Sequence, residues 1–330
     1  MADESLRYDQ MVESALRGVV RYALAEVAKR GLPGDHHFYI TFRSKAPDVT
    51  IPPYLAAQFP DEMTIVLQHQ YWDLGVDDAA SLYQVMAGAR AALDADGVTL
   101  VGGHTTTGPE LVVGFAVWGQ ADSRDALIRI GGLSAGDQLV LTKPLGTGVM
   151  LQADMRGLAR GAWIEACDAS MLRSNRHAAR AAGPLRPSAG TDVTGFGLAG
   201  HLGSMLRASK AAARLDLDAL PALPGALSLL GRGVRSTAHP ENAKARRAMW
   251  VEPAAARHPA LDLLFDPQTS GGLLLGIPAE RGAALLAAVR AAGDPAAAVI
   301  GVVGPPRGDG ALIEVVATGP APAARRGATG

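Results

Sequence analysis

The sequence has one cysteine, Cys167, in 330 residues. That scarcity excludes an intrachain disulfide framework and any metal site built from several thiolates, and it fits a reducing cytoplasm. Cys167 reads as a small, packed apolar residue. Net charge is also nearly absent, because 31 Lys and Arg stand against 32 Asp and Glu. Such a balance shows no general preference for nucleic acid or an anionic membrane, so any anionic ligand must be handled by local groups. No apolar run is long enough to span a bilayer, and the opening MADESLRYDQMVESALRG lacks the basic start and apolar stretch of a secretory signal. The expectation is a cytoplasmic protein with neither nucleic acid nor membrane as partner. A Walker A loop is missing too, since no glycine loop reads Gly-x-x-x-x-Gly-Lys-Ser/Thr.

What is present is a chain 48% hydrophobic and 19% charged, long enough for two domains with real cores. Val12, Leu16, Val20, Ala23 and Val27 recur at helical spacing, and GLPG at 31–34 stops the helix. HHFYITFRS and EMTIVLQHQYWDL then read as two strands around a proline-bearing excursion. His36, His37 and His69 fall on those strands. Alternating exposed strand positions account for them, and a three-histidine metal site would need a convergence that spacing does not supply.

After GVDD the texture changes, with fewer aromatics and more alanine and glycine. Leu82, Val85, Met86, Ala89 and Leu93 form a helical stripe, followed by a strand at GVTLV, a turn at GGHTTTGPE and a strand at LVVGFAVWG. DQLVLT and ARLDLDAL add strands, and the late segments SGGLLLGIP, AERGAALLAAVRAAG and AAVIGVVG read strand, helix, strand. The tail TGPAPAARRGATG is small and proline-rich, the composition of a disordered segment. Helical and strand segments in this alternation predict layered α/β or α+β architecture.

Four small-residue loops stand beside apolar segments: VGGHTTTG (Val101 to Gly108), TKPLGTGV (Thr142 to Val149), TDVTGFGLAGHL (Thr191 to Leu202) and DPQTSGGLL (Asp266 to Leu274). Glycine backbone can approach an anion closely, and a helix start adds its positive end, so such loops suit phosphate, although each is also ordinary punctuation between elements. Asp192 lies too far upstream of the helix near Leu198 to be its N-cap. A carboxylate beside a phosphate loop needs a cation between them, and magnesium is held by one or two carboxylates plus phosphate oxygens. Asp192 is therefore a candidate magnesium ligand, with Thr191 and Thr194 as neighbouring hydroxyls. An Asx-type turn stabilised by the same side chain is the alternative.

In order and separation these four motifs resemble selenophosphate synthetase (selenide, water dikinase), a member of the aminoimidazole ribonucleotide synthetase-like superfamily, from about Ala79 to about Gly304. The resemblance implies an α+β chain: a partial ATP-binding N-terminal domain at 77–121, a complete C-terminal α/β domain at 122–305, and a C-terminal strand and disordered tail at 306–330. It also implies ATP and selenide as substrates, Mg2+ as cofactor and a homodimer. Gly102, Gly103, His104 and Thr105 correspond to the turn that contacts ATP, and Asp192 to the family's late magnesium-binding aspartate. Asp266 to Gly272 matches a family signature with a structural or phosphate-proximal role. Cys167 falls after the Gly102 turn and does not correspond to the family's catalytic cysteine, so no catalytic residue is assigned. Residues 1–76, from about Leu6 to Leu74, resemble an incomplete alphaproteobacterial stringent starvation protein B, a small helix-plus-strands fragment of a ClpXP adaptor. That second resemblance implies tagged peptide or ClpXP as a partner, with strand addition at Phe38 to Phe42 and Met63 to Trp72.

Overall fold

The computed structural model describes residues 64–70, 76–106, 112–117 and 127–318. The opening helix and the strand at HHFYITFRS lie outside the described residues, as does the tail after 318. The chain divides into two compact units, 1–122 and 123–330.

In the first unit, β1 (Thr64–Gln70) is the middle strand of a three-stranded sheet, ordered β2-β1-β3. It runs parallel to β2 (Thr99–Thr106) and antiparallel to β3 (Val112–Val117). Between β1 and β2 comes the 20-residue helix α1 (Val76–Ala95), whose Arg90 and Asp94 form an i,i+4 ion pair at 2.8 Å. The turn expected at GGHTTTGPE starts later than its glycines suggest. β2 continues through Gly102, Gly103 and His104 to Thr106, because after a register shift at Ile65/Val66 every one of these residues is paired to β1. Pairing and β-branched threonines outweigh the local turn propensity of two glycines.

The second unit is built on a seven-stranded sheet, ordered β5-β8-β4-β9-β6-β10-β7. Its strands are β4 (Gln138–Leu141), β5 (Ala189–Asp192), β6 (Ala212–Asp216), β7 (Met249–Val251), β8 (Leu273–Ile277), β9 (Ala298–Gly304) and β10 (Ile313–Val316). β5, β8, β4, β9 and β6 pair antiparallel in succession, and β10 is parallel to both β6 and β7. At β4 and β8 both faces are covered, which explains why these strands read as near-continuous apolar runs. Across β9, β6, β10 and β7, by contrast, one face carries the cross-strand row Val302, Arg214, Glu314 and Trp250, which is open to solvent.

On β4, Leu139 and Leu141 join a large core with α2 (Thr147–Met155), α3 (Gly161–Leu172) and α5 (Gly197–Ser209). Val140 points the other way, to a smaller core with α4 (Arg176–Ala182) and α8 (Ala279–Ala291), where it meets Leu275, Ile277, Leu285 and Val289. Cys167 is buried in the large core, and that burial pushes its thiol up to about 11, which keeps it protonated and inert. No described helix is long and apolar enough to cross a membrane.

Candidate functional site

Three of the four sequence loops meet at one end of the second unit. β4 leads through Thr142 to Gly146 into α2, and the exposed N–H groups at that helix start are met by side chains of the Asp266 loop. Gln268 Oε1 accepts from Gly146 N–H at 3.0 Å and from Thr147 N–H at 3.2 Å, while Asp266 Oδ2 accepts from Gly148 N–H at 3.1 Å. Gln268 Nε2 in turn donates to Asp266 Oδ2 at 3.0 Å. The helix is thus capped from a distant stretch of chain, and the loop packs so closely that a Cβ on Gly148 would stand 2.6 Å from the Pro267 carbonyl oxygen. Asp266 is fully buried, and its Oδ1 has no hydrogen-bond partner among the described residues. Burial pushes its carboxyl up to about 7 against the pull of the Val149 N–H, the Gln268 amide and the Gly148 N–H. The DPQTSGG signature is therefore a helix clasp at its Asp and Gln positions.

The same loop continues into a turn at Thr269 to Gly272, with Ser270 at φ 49°. Its carbonyls face inward to fixed donors. Lys143 Nζ donates to Ser270 O at 3.0 Å and to Arg173 O at 2.5 Å, and Asn175 Nδ2 donates to Gly271 O at 2.8 Å. Lys143 is buried, and burial lowers its pKa against the raising influence of nearby Asp294, which itself pairs with Arg173 Nε at 3.0 Å. Its ammonium is consumed in holding this turn, so Lys143 acts as a brace and not as a surface cation.

Asp192 ends β5, and the strand pairing places it opposite Leu273, directly after that turn. The carboxylate is exposed. The N–H groups an Asx turn would use are engaged elsewhere: Val193 N–H donates to Gly272 O at 2.9 Å and Thr194 N–H to His201 Nε2 at 3.1 Å. The Asx alternative therefore falls. Gln268 N–H donates to Thr194 O at 3.0 Å, and Asn242 Nδ2 donates to Gly195 O at 2.8 Å. Burial lowers the pKa of His201 while the Asp192 charge raises it, and the net lowering keeps Nε2 available as an acceptor. The Thr191 hydroxyl lies 3.5 Å from Asp192 Oδ1.

The donor chemistry suits a hard divalent cation. Among the described residues no three His, Cys, Asp or Glu side chains cluster to form a cage. A single exposed carboxylate with hydroxyls beside it suits magnesium, which keeps several waters and relies on ligand phosphates for the rest of its shell. The four residues expected to contact ATP, Gly102, Gly103, His104 and Thr105, lie in the first unit along β2, an outer strand of its sheet. The sequence singles out Asp192 but gives no sign of its supports Asn242 and His201, nor of the bracing role of Lys143. His201 lies seven residues after Thr194, near the start of α5, and no regular spacing links the two. Asn242 offered no local signal.

Residues 134–313, more than half of the chain, match the family described as AIR synthase related protein, C-terminal domain. The chain belongs to the AIR synthase related protein family. Residues 10–85 match stringent starvation protein B, a match that ends inside α1. The chain is similar to the selenide, water dikinase of Pelobacter propionicus, 39% identical over 227 residues, which cover 68% of this chain and 65% of that protein. It thus spans less than two thirds of that relative. In fold, the AIR synthase-related chain is similar to the thiamine-monophosphate kinase of Stenotrophomonas maltophilia, with a TM-score of 0.57 at 20% identity over 77% of this chain and 72% of that one. It is also similar to the hydrogenase maturation protein HypE in complex with ATP, with a TM-score of 0.55 at 20% identity over 78% of this chain and 70% of that one.

Proposed function

We propose that this chain, as a homodimer, carries out ATP- and magnesium-dependent phosphoryl transfer from ATP to selenide with hydrolysis of the remaining phosphoanhydride by water, so that ATP, selenide and water give selenophosphate, AMP and phosphate. The observation that carries this reading is the exposed Asp192 carboxylate, fixed by strand pairing beside the glycine turn at 270–272 while the N–H groups that follow it are bonded elsewhere. Its similarity to selenide, water dikinases supports the choice of reaction. In this reading Asp192 holds Mg2+, and backbone of Gly102 and Gly103, with His104 and Thr105, contacts ATP. When bound, the ion neutralises charge on phosphate oxygens. The clasp of Asp266 and Gln268 and the brace of Lys143 keep the acidic loop in one geometry, so no reorganisation is needed when nucleotide arrives. The expected result is AMP release from ATP that requires selenide and Mg2+ together. AMP formation at the same rate without selenide would contradict the proposal.

A second reading, peptide capture in the manner of stringent starvation protein B, is favoured by the match at 10–85. Strand addition at β1 is disfavoured, because β2 and β3 occupy both of its edges. Capture would fall to Phe38 to Phe42, outside the described residues, and a tagged peptide that leaves Trp72 fluorescence unchanged would remove this reading.

A further inference from the structure

We propose that Asn242 is a positioning residue for the Asp192 carboxylate, an inference that rests on the magnesium reading given above. Asn242 ends the short helix α7 (His239–Asn242), and its Nδ2 donates to two carbonyls, Gly195 O at 2.8 Å and Phe265 O at 3.0 Å. Gly195 lies three residues after Asp192, and Phe265 immediately precedes Asp266. A single flat amide, with two N–H groups at a fixed angle, therefore ties the acidic loop to the helix clasp. The first half of the loop is secured by backbone bonds, Val193 N–H to Gly272 O and Gln268 N–H to Thr194 O. Asn242 secures its far half, where Phe196 stands 71% exposed and offers little packing of its own.

The chemistry separates this role from a merely structural one. Asn242 is only partly buried, so on its removal water can satisfy the two carbonyls and the fold loses little. Water does not reproduce the fixed span between Gly195 and Phe265, so the loop gains freedom while the strand pairing of Asp192 survives. The consequence is a weaker cation site in a folded protein. Loss of an outer partner that orients a metal ligand costs about tenfold to a hundredfold in metal affinity.

The test uses Mn2+ in place of Mg2+, followed by electron paramagnetic resonance on the full chain with a non-hydrolysable ATP analogue. Asn242→Ala should weaken Mn2+ binding about tenfold to a hundredfold while thermal unfolding without ligand stays close to the parent. Asn242→Ser, a smaller packing change whose hydroxyl is too short to reach both carbonyls, should do the same. Asp192→Asn should abolish the bound signal. Arg281→Ala, which removes the Arg281 Nη1 bond to Leu185 O at 2.8 Å on α8, should leave Mn2+ affinity unchanged. Parental affinity in both Asn242 variants, with the signal lost in Asp192→Asn, overturns the positioning role and leaves the site reading intact. An equal loss in Arg281→Ala also overturns the positioning role, because general destabilisation then explains it. Parental affinity in Asp192→Asn, or no Mn2+ bound by the parent chain, contradicts the site reading itself and takes the proposal with it.

Discussion

Alanine at Gly271 is expected to unfold the junction between the acidic loop and the helix clasp. A Cβ there would stand 2.1 Å from Val193 O and 2.8 Å from Gln268 Cβ, and neither neighbour is the far end of a flexible side chain. Relief requires moving β5 away from the turn, which breaks the Val193 N–H bond to Gly272 O at 2.9 Å. Overpacking of this kind costs about 3 kcal/mol, the upper part of the usual range. In a unit of the size of 123–330, that cost lowers the unfolding midpoint by about 6–12 °C. Differential scanning calorimetry of Gly271→Ala checks it. An unchanged midpoint would mean that the turn is not held against Val193 as described.

Asp266 carries the second large effect. In Asp266→Ala the buried Gly148 N–H loses its acceptor, while Gln268 Nε2 keeps only its bond to the carbonyl of residue 266 at 2.8 Å, and a buried donor left without a partner costs about 1–3 kcal/mol. A loss of about 1–3 kcal/mol follows. The charge state gives this residue a pH signature as well. Its carboxyl is pushed from 3.8 to about 7 in the folded chain, so between these values the folded state keeps a proton that the unfolded state has released. The stability Asp266 contributes is therefore fully present below about pH 4 and is lost as pH rises through about 7. Asp266→Asn keeps an oxygen for the Gly148 N–H but cannot titrate, and urea unfolding from pH 4 to 8 should show a flatter profile for it than for the parent. A parental slope in Asp266→Asn would assign the pH dependence to other groups.

Much of this arrangement is legible from residues alone. The seven-stranded sheet appears as apolar runs at β4 and β8, because strands covered on both faces carry no polar alternation, and as an alternating run at β6, where Arg214 faces solvent. Asp192 stands out because no local element needs it, and the strand pairing explains why: its neighbours' N–H groups already have partners. The limits of sequence reading are equally physical. Whether GGHTT is a turn or part of a strand depends on β1, a non-local partner, so local propensity points the wrong way. Asp266 reads as a phosphate-side acid as easily as a clasp until its burial is known. Asn242 is invisible because its two acceptors, Gly195 and Phe265, are 47 and 23 residues away in the chain. The junction between the two resemblances reads as a break in texture near Val76, yet the backbone there starts a 20-residue helix.

In the proposed function one exposed carboxylate, Asp192, would hold Mg2+ beside a turn braced from within. Isothermal titration of ATP into the full chain, with and without Mg2+ and for the parent and Asp192→Asn, tests it most directly. Mg2+ is expected to tighten ATP binding at least about tenfold in the parent, about 1.4 kcal/mol, and Asp192→Asn to remove this gain while leaving the unfolding midpoint near the parental value. An equal Mg2+ gain in both proteins would contradict it.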